Sequence, residues 1–183
     1  MLWDRGAVLE EAAPYQIVDE SRPGMWMVLQ TRARQEKAIA RQLTARHVDF
    51  VLPLVPRVSL VRGRKFTSQV PLFPGYVFLC GQREDAYHAI TTKRVCRIID
   101  VPDQTTFLHE LNQIVQALDA GAPLDLHPFA VEGRRCRIIR GPFMGLEGVV
   151  IQRKSMMRLV MQIGILGRGA ALEIDADFLE PID

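Results

Sequence analysis

Gly133-Arg134-Arg135-Cys136-Arg137-Ile138-Ile139-Arg140-Gly141-Pro142-Phe143-Met144-Gly145-Leu146-Glu147-Gly148-Val149-Val150 marks a change of texture in the chain. Cys136 and Ile138 alternate with arginines, a glycine-rich run interrupts, and Val149 and Ile151 resume the alternation. Period-two patterning of this kind predicts strands joined by a turn. Gly141, Gly145 and Gly148 read as turn and bulge residues. Short strands are expected over 134–140, 146–153, 157–163 and 170–174, with Leu159, Met161 and Ile163 again alternating with other neighbours. Residues 133–183 therefore read as a small curled β-barrel.

Working back towards the N-terminus, residues 121–132 hold Gly121, Pro123 and Pro128 without a regular pattern, and read as a linker. Before them the signals are mixed. Phe107, Leu108, Leu111, Ile114, Val115 and Leu118 follow the spacing of one buried helical face, which predicts a helix over 106–120. Gly121 would stop it and Pro123 would keep it from resuming. Ile39 and Leu43 at i, i+4 predict a helix over 34–46, and a short one is expected over 85–92. Strands are expected over 25–31, 49–54, 76–80 and 95–99, the second stopped by Pro53 and Pro56. Between them, 57–70 reads as a hairpin around Arg62-Gly63-Arg64-Lys65, the glycine supplying a positive φ at the turn. The fold class is α+β: an N-terminal α/β sandwich over 25–120, then the linker, then the barrel. Residues 1–24 lack periodicity, end in Ser21-Arg22-Pro23-Gly24, and read as a flexible extension.

Charge is distributed unevenly along these parts. The net +2 of the 183 residues hides −3 over 1–24, +9 over 25–97, −6 over 98–132 and +2 over 133–183. A block of +9 fits either a polyanion partner or a solvated basic face. With 48% hydrophobic and 24% charged residues the composition is that of a globular chain, which excludes a disordered tail, collagen and a coiled coil. The uncharged run over 68–82 is too short and too interrupted to span a bilayer, and no membrane partner is expected. Asp4, Glu10 and Glu11 stand where a signal peptide would be apolar, so a cytoplasmic location is expected. Cys80, Cys96 and Cys136 form no CxxC pair and read as reduced thiols.

Signatures of catalysis are missing. GxSxG, HExxH, the GxxxxGK[ST] loop and GxGxxG do not occur. His47, His88, His109 and His127 are scattered without metal-ligand spacing, and the adjacent pairs Glu10-Glu11 and Glu84-Asp85 point apart in regular structure. No enzymatic activity, metal or cofactor is expected.

Two stretches say more. Val70-Pro71-Leu72-Phe73-Pro74-Gly75-Tyr76-Val77-Phe78-Leu79, with Trp26-Met27-Val28-Leu29 opening the first domain, and the 133–150 run together closely resemble the NusG family of bacterial transcription elongation factors. The first belongs to the family's NGN domain, and the second is similar to its SH3-like KOW motif. The resemblance runs over 25–183. It implies a non-enzymatic factor that binds RNA polymerase and promotes processive elongation or antitermination, acting as a monomer.

The residues alone leave Leu72 and Phe73 open to two readings, plain core or a stiff apolar docking surface. The resemblance favours docking: positions matching Phe73, Pro74 and Tyr76 grip the clamp helices of the polymerase's largest subunit. Gln30 stands where sequence-specific relatives have an aromatic in that surface. His88 and Thr91, with Thr92, match positions that touch a second polymerase element, the gate loop. Arg32, Gln35, Gln42, Arg46, Thr92 and Lys93 match contacts to the non-template DNA strand in relatives similar to RfaH. Cations there would hold phosphates, and Gln and Thr would bond base edges. Arg62, Arg64 and Lys65 at the hairpin tip join this DNA-binding set.

In the barrel, Ile165, Leu166 and Arg168 match the face that meets a small-subunit ribosomal protein or Rho, with Leu166 in place of the usual aromatic. The extension and the basic hairpin resemble specialised RfaH-, LoaP- or UpxY-like paralogues that act on particular operons, rather than the general factor. Two other classes compete with this reading. An RNA-binding or ribosome-associated module would use the KOW barrel, although Phe143 and Phe178 are its only aromatics for stacking. A nucleic-acid enzyme would need clustered carboxylates, and 25–97 has four acids.

Overall fold

The computed structural model describes residues 24–128, 132–153 and 155–182; the expected extension over 1–24 lies outside these except for Gly24. Backbone proximity divides the chain into two compact units, Met1–Gln104 and Thr105–Asp183. The fold is α+β.

The first unit contains β1 (Met25–Thr31), α1 (Glu36–Ala45), β2 (Asp49–Val51), β3 (Leu54–Val61), β4 (Arg64–Pro71), β5 (Tyr76–Gly81), α2 (Arg83–Thr91) and β6 (Val95–Asp100). Four strands form an antiparallel sheet in the order β2-β5-β1-β6. Registers Met27↔Leu79 and Leu29↔Val77 place those residues on one face. There they pack with Ile39 and Leu43 of α1 and Ala86 and Ala89 of α2. On the other face, Trp26 opposes Cys80, Val28 opposes Phe78 and Gln30 opposes Tyr76. Trp26 to Leu29 are all at most 5% exposed, so both faces of β1 are covered and its sequence runs apolar without alternation. His47 and Lys93, just beyond the ends of α1 and α2, both adopt the left-handed region, at φ 57° and 60°.

β3 and β4 form a separate two-stranded sheet, paired from Leu54↔Pro71 to Val61↔Arg64. The hairpin begins earlier than its expected start at 57. Pro56 lies inside β3 instead of stopping a strand, because a two-stranded ribbon has a free edge where no backbone donor is needed.

The second unit contains α3 (Gln104–Asp119), whose first residue closes the first unit, then β7 (Asp125–His127), β8 (Arg135–Ile138), β9 (Glu147–Arg153), β10 (Met156–Ile163), β11 (Arg168–Ile174) and β12 (Leu179–Pro181). These strands form a six-stranded antiparallel sheet in the order β12-β8-β9-β10-β11-β7. Three details differ from the sequence reading. β7 lies in the stretch expected to be patternless and pairs with β11. β10 does not alternate, since Arg158, Leu159, Val160 and Met161 are all buried. Gly148 is a strand residue needed for close approach, since a Cβ there would lie 2.6 Å from the Val160 carbonyl oxygen. Arg158 is buried with Nη2 donating to Asp125 Oδ2 at 3.2 Å, which ties β10 to β7. α3 is joined to the strands by its side chains: Gln113 Oε1 accepts from Glu147 N at 2.8 Å, and Glu110 Oε2 accepts from Gly164 N at 2.9 Å.

Candidate functional site

Phe73 to Tyr76 form a tight turn closed by Tyr76 N donating to Phe73 O at 3.2 Å. Pro74 suits its second position and Gly75, at φ +86°, its third, which is the type II pattern. The turn is held from two sides. Gly75 N donates to Glu36 Oε1 at 2.7 Å, and Gly75 O accepts from Thr31 N at 2.8 Å. Glu36 is 5% exposed, so a buried carboxylate in the first turn of α1 fixes a loop on the next sheet connection. Charged acceptors make the stronger hydrogen bonds, and burial strengthens them further.

This clamp sets what the turn presents. Pro74 is exposed and Tyr76 half-buried. Phe73 points inward: it is 1% exposed, with its ring edge-on to Phe78 at 5.9 Å between centroids. Directly opposed residues on neighbouring strands share a face. The registers Gln30↔Tyr76 and Gln30↔Arg97 therefore set Arg97, Gln30 and Tyr76 in one row across β6, β1 and β5.

The remaining candidates in this unit gather on the helical side. A cleft of about 300 Å³ between α1 and α2 is lined by Gln42, Arg46, His88, Thr91 and Thr92 over an apolar floor that includes Ile39 and Leu43. Gln42 Oε1 is buried without a hydrogen-bond partner. Thr91 and Thr92 spend their hydroxyl protons within the helix, Thr91 Oγ1 on His88 O at 2.7 Å and Thr92 Oγ1 on Ala89 O at 2.6 Å. Both hydroxyls can therefore only accept from a ligand.

Two loops meet beside the cleft. Arg32 N donates to Arg94 O at 2.8 Å, and Arg94 Nη1 donates to Gln35 Oε1 at 2.5 Å. Arg32, Arg34 and Lys93 are left exposed around this junction. Arg34 and Lys93 have φ of 63° and 60°, an uncommon region for a side-chain-bearing residue. Arg83 is not part of the basic surface: it pairs with Asp100 and lies 5.6 Å from the Tyr87 ring centroid. Arg83 Nε also donates to the Tyr87 hydroxyl at 3.4 Å, and the hydrogen bonds to Tyr87 and then to Asp100 raise the guanidinium pKa further. Among the described residues, no group of His, Cys, Asp and Glu could hold a metal ion.

The model of a family described as transcription termination factor nusG matches residues 24–126. The chain belongs to the NusG family. It is 27% identical over 173 residues to the transcription termination/antitermination protein NusG of Pseudomonas aeruginosa, covering 86% of this chain and 98% of that protein. The NusG of Neisseria meningitidis matches at 27% over 175 residues, with the same coverage. These two relatives extend over the second unit as well.

In the second unit of this NusG-family chain, Ile165 and Leu166 sit in a short 3-10 turn, Gly164–Leu166, and are half-buried. Gly167 reverses the chain at φ +57°, and Arg168 opens β11 opposite Ile163. The three candidates are thus brought together on one connection. The fold joins Arg32, Gln35 and Lys93 through the loop junction, and Gln42, Arg46, His88, Thr91 and Thr92 around the cleft. Arg62, Arg64 and Lys65 belong instead to the separate ribbon. Sequence reasoning missed three residues that the geometry brings forward: Glu36, Arg94 and Arg97. Arg94 adjoins Lys93 in the sequence, which was a usable signal. Nothing local marks Glu36, whose partner lies 39 positions away.

Proposed function

We propose that this chain is a transcription factor that docks on the clamp helices of the largest RNA polymerase subunit and promotes processive elongation or antitermination at particular operons. The observation that carries this reading is the clamped Phe73–Tyr76 turn beside the Arg97–Gln30–Tyr76 row, in a chain of the NusG family. Pro74, Tyr76 and Gln30 make the contact, with Phe73 as the ring beneath that keeps the turn in shape. A surface held rigid before binding loses less entropy on docking.

The domain over 25–120 carries this surface. His88 and Thr91 face the gate loop, while Arg32, Gln35, Gln42, Arg46, Thr92 and Lys93 meet the non-template strand. Arg62, Arg64 and Lys65 add further DNA contacts. A KOW domain over 133–183 follows the region 121–132, and its Ile165, Leu166 and Arg168 recruit a small-subunit ribosomal protein or Rho. The factor acts in the cytoplasm, as a monomer and without catalysis. It need only bind the elongating polymerase better than the paused one: about 1.4 kcal/mol of preference shifts that equilibrium tenfold.

Co-purification of the full chain with its host RNA polymerase tests the proposal. Wild type should be retained, and Pro74→Asp and Tyr76→Asp should lose the polymerase while keeping the wild-type melting temperature. Phe73 variants are poor surface probes, because Phe73→Ala removes a core ring at a cost of about 3–5 kcal/mol. Retention of both surface variants would refute the docking face. Absence of polymerase binding, with RNA shifted at physiological salt, would put an RNA-binding module in its place.

A further inference from the structure

The β3–β4 ribbon stands apart from the packed body of the first unit. Every residue from Pro56 to Gln69 is exposed, including Leu60 at 70%, Val58 at 62% and Phe66 at 51%. The ribbon is nevertheless fully paired to its tip, where Arg62 and Gly63 take φ of 51° and 76°. Positive φ at both turn residues is the type I′ signature, whose twist matches that of the strands. Residues 54–71 carry Arg57, Arg62, Arg64 and Lys65 and not one acid, and none of these four forms an ion pair with a described residue. Register divides the side chains between two faces. Val58 and Leu60 share one with Thr67 and Lys65; Arg57, Ser59 and Val61 share the other with Ser68, Phe66 and Arg64.

We propose that this ribbon binds double-stranded DNA by lying in the major groove. Four cations without an acid complement a polyanion. The B-form major groove, about 12 Å wide, admits a two-stranded β-ribbon. There the face carrying Val58 and Leu60 meets thymine methyls while tip and edge cations reach phosphates. Other polyanions fit less well. A-form RNA buries its major groove too deeply and narrowly for side chains to read. Single strands are held on aromatic platforms, and the ribbon has one aromatic, Phe66. An anionic bilayer would receive the tip first, and that tip is Arg-Gly-Arg-Lys with the apolar residues behind it. The inference rests on the nucleic-acid half of the function proposed above and names the duplex as this element's ligand. It does not depend on polymerase docking, so the free chain tests it separately.

The experiment titrates the full chain against a fluorescein-labelled DNA duplex of about 20 base pairs, two helical turns, over a series of salt concentrations. The unlabelled single strand, an RNA duplex of the same sequence and anionic vesicles serve as competitors. The DNA duplex should compete at least tenfold better than the other three. Replacing Arg62, Arg64 and Lys65 together by Gln, with Gly63 kept, should weaken duplex binding at least tenfold. It should also flatten the log–log salt slope by about 0.9 for each phosphate that is no longer neutralised. Leu60→Thr, which retains β propensity, should weaken binding with the slope unchanged. Equal competition by single strand, RNA duplex or vesicles would overturn the proposal. So would a triple variant that binds within twofold of wild type. Loss of polymerase co-purification with duplex binding intact would refute the docking face alone.

Discussion

Glu36 is the one buried charged side chain among the described residues of the first unit, and its partner is a backbone amide, not a cation. Glu36→Ala would strand the Gly75 N–H at a cost of about 1–3 kcal/mol. Glu36→Gln keeps an acceptor and should cost less than half as much. Urea denaturation of the two variants checks the ranking, and polymerase capture should fall with Glu36→Ala because the turn loses a support. Gly148 offers a second test. A Cβ there would meet the Val160 carbonyl, so Gly148→Ala should destabilise by about 1–3 kcal/mol, read as a lower melting temperature. Gly63→Ala adds no close contact, but its φ of +76° is still unfavourable for a Cβ. The sequence left Phe73 divided between core and docking surface for a physical reason. Its inward direction is set by contact with Phe78, and that depends on how a turn folds back across a strand.

At the level of elements, legibility followed length and periodicity. The 16 residues of α3 declare a face through six apolar positions, and the hairpin declares its turn through Gly63 between cations. β7 and β12 are three residues each, too short for an alternation to register, and β7 lies between Pro123 and Pro128. Both exist because neighbouring strands offer an edge, which their own sequence does not record. β7 also carries a titration. Burial first, then Arg158 and Arg153, lower the His127 pKa, so the folded chain resists the proton more than the unfolded one does. The sign follows from linkage: the unfolded state binds more protons below about pH 6.5, and stability falls as the pH drops through that value. Melting temperatures between pH 7.5 and 5.5 should decline less for His127→Gln than for wild type. The effect should be small, since the side chain is only half-buried.

For the whole molecule, the uneven charge was legible from composition, whereas its use was not. Of thirteen cations over 25–97, Arg83 is taken by Asp100 and Arg94 by Gln35, while the ribbon holds four. Sequence counts all of them alike because pairing is decided by the fold. Thiol chemistry gives an independent check on packing across both units. Cys80 and Cys136 are buried and Cys96 is exposed, and no disulfide joins them. A thiol reagent should modify one cysteine per native chain and three after denaturation; fast reaction of more than one would contradict the packing.

The grip of Glu36 on Gly75 ties two surfaces together. Glu36 follows Gln35, which holds the loop junction through Arg94, so the junction and the Pro74 turn share one helical turn as a common anchor. Cooperativity between ligands at such places obeys reciprocity. By whatever factor an occupied junction sharpens affinity at the turn, an occupied turn sharpens affinity at the junction, and Glu36→Ala is the substitution that should uncouple the two.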